Sequence, residues 1–202
     1  GVYSENYFFV SELIKNDSTF TIGIADYQCG YTLTQDTTIS GDYYLGYGVL
    51  NLNGYKLNIE GDLIHANGQI IIGGGELNVS GDYIQKIKYL DNGQEKWTAS
   101  KGSIVMNQST DKVQIAGDLD LYPYNKNTYS KITNGALYIQ GDIHYLDDYF
   151  YNSYSSGYCF EVLGDCNVYL EGDSQRISGD GCRFANLHIQ TTGSLVTDGS
   201  VI

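Results

Sequence analysis

Carboxylates recur in this chain at one place in a repeated phrase. The pattern apolar-x-apolar-x-Gly-Asp ends at Asp42, Asp62, Asp82, Asp118, Asp142 and Asp165, and once more at Asp173; the first six of these acids hold equivalent positions in successive repeats. Stacked repeats would bring them into a column. Unit charges about 5 Å apart repel by roughly 1 kcal/mol in water, and by several times more at an effective dielectric near 20. Such a column is a place for Ca²⁺, although the tandem GGxGxD pattern of calcium-binding nonapeptides is absent and Gly73-Gly74-Gly75-Glu76 comes nearest to it. The default role for each acid is to accept hydrogen bonds from backbone N–H groups at a chain corner.

A second group is aromatic. The run YLDDYFYNSYSSGY brings Tyr145, Tyr149, Tyr151, Tyr154 and Tyr158 together, and their flat rings and hydroxyls suit stacking against sugars. Tyrosines also line the outer faces of sheets for propensity alone. Asp147 and Asp148 lie within this run, and adjacent carboxylates are what acid–base cleavage of a polysaccharide uses. Basic partners are scarce, the nearest arginines in sequence being Arg176 and Arg183. His65, His144 and His188 are too scattered to ligate one metal together. Cys29, Cys159, Cys166 and Cys182 contain no C-x-x-C pair, which disfavours zinc. Cys159 and Cys182 stand 23 residues apart, close to one repeat, so stacking would bring them within disulfide range. Cys166 competes for either partner, and buried free thiols acting as small apolar groups are the alternative.

The elements that must position these residues follow from the phrase itself. Leu57-Asn58-Ile59-Glu60-Gly61-Asp62 returns twenty residues later as Leu77-Asn78-Val79-Ser80-Gly81-Asp82. In each phrase the apolar residues lie two and four positions before the Gly, on one face of a strand. The inward columns are then Leu57, Leu77, Val113, Leu137 and Phe160, beside Ile39, Ile59, Val79, Ile115, Ile139 and Val162. The Gly turns the corner, where it reaches conformations costly to other residues. Asn51, Asn53, Asn58 and Asn78 suggest short amide ladders. The fold expected is all-β, a single-stranded parallel β-helix of about 20–24 residues per coil over 37–202, with 1–36 as an N-terminal cap or lead-in. The 36-residue interval from Asp82 to Asp118 has room for an extra coil or a long loop. Lys86 to Lys101, polar and containing Asp91-Asn92-Gly93, reads as an excursion from one corner, where such scaffolds carry recognition.

Composition narrows the functions. Lys and Arg total 11 against 24 Asp and Glu, and a net charge of -13 repels phosphate backbones and anionic membranes, so nucleic-acid binding is not expected. No stretch approaches the roughly 18 to 20 apolar residues of a membrane span. A chain that starts at Gly1 and stops inside a β-like phrase reads as part of a longer one.

The stretch LNLNGYKLNIEGDLIHANGQIIIGGGELNVSGDY, Leu50 to Tyr83, resembles the β-solenoid repeats of large secreted and cell-surface proteins of Gram-positive bacteria. The tail VYLEGDSQRISGDGCRFANLHI resembles the GxxQxISGxxxxFxNLxI coil of those families through Gly172, Gln175, Ile177, Ser178, Gly179, Phe184, Asn186, Leu187 and Ile189. The resemblance implies a secreted or cell-surface location and a non-enzymatic, adhesin-like structural segment. Its partners would be host or environmental surface glycans or proteins. A carbohydrate-binding module built on the Tyr run is the second expectation, and a β-helical polysaccharide lyase or hydrolase the third.

Overall fold

The phrase dictates a file of strands. Alternation makes each copy a short strand with two side chains on one face, and the Gly-Asp pair ends it. In the computed structural model, which describes residues 20–22, 30–122, 131–145, 160–179 and 182–198, Thr37–Ile39, Lys56–Ile59, Glu76–Val79, Lys112–Ile115 and Ala136–Ile139 lie side by side and parallel. Leu57 stands opposite Leu77, Leu77 opposite Val113, and Val113 opposite Leu137.

Two more files complete the repeat. After each Gly-Asp corner the chain enters a first file, which runs through Phe20–Ile22, Tyr43–Leu45, Leu63–His65, the start of Tyr83–Asp91, Leu119–Leu121, Ile143–Tyr145, Gln175–Ser178 and Leu195–Asp198. It then crosses to a second file of Gly30–Thr32, Val49–Asn51, Gln69–Ile71, Ser103–Met106, Lys131–Ile132 and the start of Phe160–Leu170. From there it returns to the phrase file. All pairings within files are parallel, and every regular element among the described residues is a strand. The first file forms one curled sheet. Phe160–Leu170 runs through both other files and joins them into the second sheet. Parallel pairing already includes Phe20–Ile22 and Gly30–Thr32, inside the stretch read as a lead-in.

The inward columns hold the core. Leu57, Ile59, Leu77, Val79, Val113, Ile115, Leu137 and Ile139 are all buried, each worth about 1.5–3 kcal/mol over an exposed position. One part of the expected columns is corrected. Leu137 and Ile139 pair with Val168 and Leu170, whereas Val162 pairs with Ile132 in the second file, so Phe160 and Val162 do not continue the phrase columns. The chain carries two phrases only eight residues apart here, ending at Asp165 and Asp173, and the inter-coil hydrogen bonds select the later one.

The long interval holds one repeat plus a hairpin. Tyr83–Asp91 pairs antiparallel with Gln94–Ala99, from Lys86 opposite Ala99 to Asp91 opposite Gln94. Asn92 and Gly93 turn it at φ 52° and 78°, the two positive values that an Asn-Gly hairpin turn requires. The register survives the insertion, because Ser103 resumes opposite Gln69.

Candidate functional site

Five of the seven phrase aspartates form a column, and Asp165 and Asp173 do not. Each accepts from the backbone of the next repeat rather than its own. The N–H groups of Asp62, Asp82, Asp118 and Asp142 donate to the Oδ1 atoms of Asp42, Asp62, Asp82 and Asp118 at 2.7–2.9 Å. Asp142 receives the Arg176 N–H at 2.7 Å. The glycines belong to the same device. At Gly61, Gly81, Gly117 and Gly141 an added Cβ would run into the preceding repeat's aspartate carboxylate and Gly backbone. Their requirement is space rather than an unusual backbone angle; of the phrase glycines in the column only Gly41 has positive φ, at 90°. In the tail the register sets Arg176 opposite Asp142, and the residue before it is Gln175. It is buried, takes the Gly172 N–H on Oε1, and donates to the carbonyls of Ile139 and Gly141.

With one oxygen of each acid spent on the backbone, cation chemistry narrows to a single place among the described residues. Donor atoms of Asp118, Asp142 and His144 converge within 4.8 Å of one another. His144 Nε2 lies 3.5 Å from Asp118 Oδ2, and Nδ1 lies 2.9 Å from Ser178 Oγ. The cluster is half-exposed, and two carboxylates with an imidazole can contribute part of a divalent-cation shell.

The other sequence candidates fall differently. Tyr145 is 8% exposed in the inward column beside Leu121, so its ring packs in the core instead of offering a face to a sugar. Tyr149, Tyr151, Tyr154 and Tyr158 lie outside the described residues, as do Asp147, Asp148 and Cys159. Cys182, the proposed disulfide partner of Cys159, is buried opposite Phe160. Cys166 is buried too, and desolvation followed by the nearby Asp111 pushes its thiol up to about 11. The amide ladder forms on the outer phrase face. Asn58 donates to Thr38, Asn78 to Asn58, and Gln114 to Asn78. Further along that face Tyr138, Tyr169 and His188 stack, with centroids 4.7 and 4.5 Å apart.

The hairpin corner has chemistry of its own. The inward column of the first file reads Leu45, His65, Gln85, Leu121, placing two polar side chains in the core where the hairpin leaves. His65 Nε2 faces the Gly68 carbonyl at 3.2 Å, and Nδ1 lies 2.7 Å from the Tyr83 hydroxyl. A carbonyl only accepts, so Nε2 carries the proton and Tyr83 donates to Nδ1. Desolvation lowers the ring's pKa to about 4, so it is neutral. Ser100 Oγ donates to the His65 and Ala66 carbonyls and accepts from the Gly102 N–H, and Gln85 donates to the Gly102 carbonyl. Both feet of the hairpin are thereby tied to the stack.

Above this network a cleft of about 460 Å³ opens between the corner and the hairpin, lined by Tyr47, Asn67, Gly68, Gln69, Ile87 and Lys101 among others. Ile87 and Lys101 belong to the 86–101 excursion expected to carry recognition, whereas Tyr47, Asn67, Gly68 and Gln69 were not read as site residues. The available signal was the alignment of Gly48, Gly68 and Gly102, each just before a second-file strand, with the hairpin inserted ahead of the third. Comparison of the chain with protein-family models, curated proteins and solved structures found no match.

Proposed function

We propose that the chain is a single-stranded parallel β-helix serving as a non-enzymatic recognition scaffold of a secreted or cell-surface protein, with recognition at its hairpin corner. The observation that carries this reading is a hairpin inserted at one corner with no loss of register on either side. A scaffold of stacked coils tolerates such a loop because each coil's contacts are with its neighbours. Asp118 and Asp142, whose carboxylates come within 4.8 Å of each other, each spend an oxygen on backbone N–H groups, which suits a structural role better than the acid–base pair of polysaccharide cleavage.

The test is excision of 87–98 with an Asn-Gly closure. The shortened chain should keep its β circular dichroism and unfold cooperatively within about 1 kcal/mol of the parent. It should also lose whatever binding the parent shows on a printed array of glycans and surface proteins. A shortened chain that unfolds, or a parent that releases reducing ends from polysaccharides, would overturn the reading.

A further inference from the structure

We propose that the cleft beneath the hairpin binds a neutral saccharide, which deepens the recognition reading above and rests on it. The volume, about 460 Å³, falls within the usual range for small-ligand sites. Asn67 carries the inference furthest. Its residue is 8% exposed and lines the cleft, yet its side-chain amide has no hydrogen-bond partner among the described residues. The amide is therefore open to the cleft, where it can give and take a hydrogen bond with a ligand presenting both an acceptor and a donor.

The lining decides the class of ligand. The chain carries 24 acidic residues, but among the described residues no carboxylate lines the cleft. A cationic ligand would meet Lys101 and no counter-charge among these residues, and the net charge of -13 works against an anionic one. Gln69 donates through Nε2 to Ser103 Oγ at 3.3 Å, which leaves Oε1 for a second polar contact. Neighbouring hydroxyls pair with an amide's N–H and C=O together, so two amides match a polyhydroxylated ligand. Tyr47 is 38% exposed at the rim and Ile87 stands on the hairpin wall, and these can cover the C–H face of a sugar ring. Gly48 and Gly68 form a floor without side chains. A Cβ on Gly68 would meet the Gly48 carbonyl and the Tyr47 backbone, so the glycines keep the corner close-packed beneath the ligand.

The experiment is calorimetric titration of the whole chain with neutral cello-, xylo-, manno- and malto-oligosaccharides, repeated on variants. At least one series should bind, and Tyr47→Ala and Asn67→Asp should each weaken it at least tenfold. Tyr55→Ala, which removes an aromatic of similar exposure at a different corner, should leave it unchanged. Gln69→Ala reports on the same polar contact if Asn67→Asp perturbs folding. No binding by the folded chain, or binding indifferent to Tyr47, Asn67 and Gln69, would overturn the inference while the scaffold reading stood. A peptide whose binding depends on these residues would overturn the saccharide class. Binding followed by release of reducing ends would instead sink the non-enzymatic reading and leave the saccharide site in place.

Discussion

Two corners of the same repeat solve the turning problem in opposite ways. At the Gly-Asp corner the copies from Asp42 to Asp142 repeat the same device, a carboxylate bonding across to the next backbone over a residue with no side chain. At the corner between the first and second files the solution is singular, a buried histidine, tyrosine, glutamine and serine tied into one network beneath a hairpin. The first corner draws its strength from close approach and identical geometry. The second depends on hydrogen-bond satisfaction in the core, which makes it sensitive to protonation.

The largest effect should come from filling the close approach. Gly81→Ala drives a methyl into the Asp62 carboxylate and the Gly61 backbone, and should cost about 3 kcal/mol or more in urea unfolding. A loss under about 1 kcal/mol would mean the rungs can slide apart. The singular corner should answer to pH. Above pH 6.5 His65 is neutral in both folded and unfolded chains. Below it the unfolded chain takes up a proton that the folded ring refuses until about pH 4. Stability should therefore fall as pH drops from 6.5 to 4, by about 3 kcal/mol from this group. Denaturant midpoints of the parent and of His65→Leu across that window would show it, since the variant should lack this part of the slope. Asp82→Ala strips the acceptor from the Asp118 N–H and should cost about 2 kcal/mol. Asp82→Asn, which keeps an acceptor oxygen, should cost less. Smallest is a gain. The Tyr43 hydroxyl is buried with no hydrogen-bond partner among the described residues, so Tyr43→Phe should stabilise the chain by about 1 kcal/mol in the same assay.

The two corners also differed in how far they could be read beforehand. The phrase corner was legible because alternation and a fixed Gly-Asp offset are local signals, and they placed Leu57, Ile59, Leu77 and Val79 in the core correctly. The hairpin was visible through Asn92-Gly93. Register failed at Phe160 and Val162 because two copies of the phrase lie within one long strand, and only pairing with Ala136–Ile139 distinguishes them. The glycine requirement was assigned to backbone freedom when it is clearance from another repeat's carboxylate, a contact twenty or more residues away in the chain. Asn67 gave no local sign of its role, since the cleft exists only where the inserted hairpin overhangs a corner built from earlier repeats.

The carboxylate interlock bears on how such a chain changes length. Every rung presents the same acceptor to the next and the same donor to the one before. Removal of 63–82 would therefore leave Asp62 facing the Asp118 N–H with the geometry Asp82 has now. Duplication of the same block would add a rung that finds a matching surface on both sides. Rearrangement in whole-repeat steps is close to neutral at this corner, and added residues elsewhere in a repeat leave it intact, as the 36- and 24-residue intervals to Asp118 and Asp142 show. The repeat is thus a unit in which length can change as well as a unit of packing, and the hairpin can ride on it at whatever height the number of copies sets.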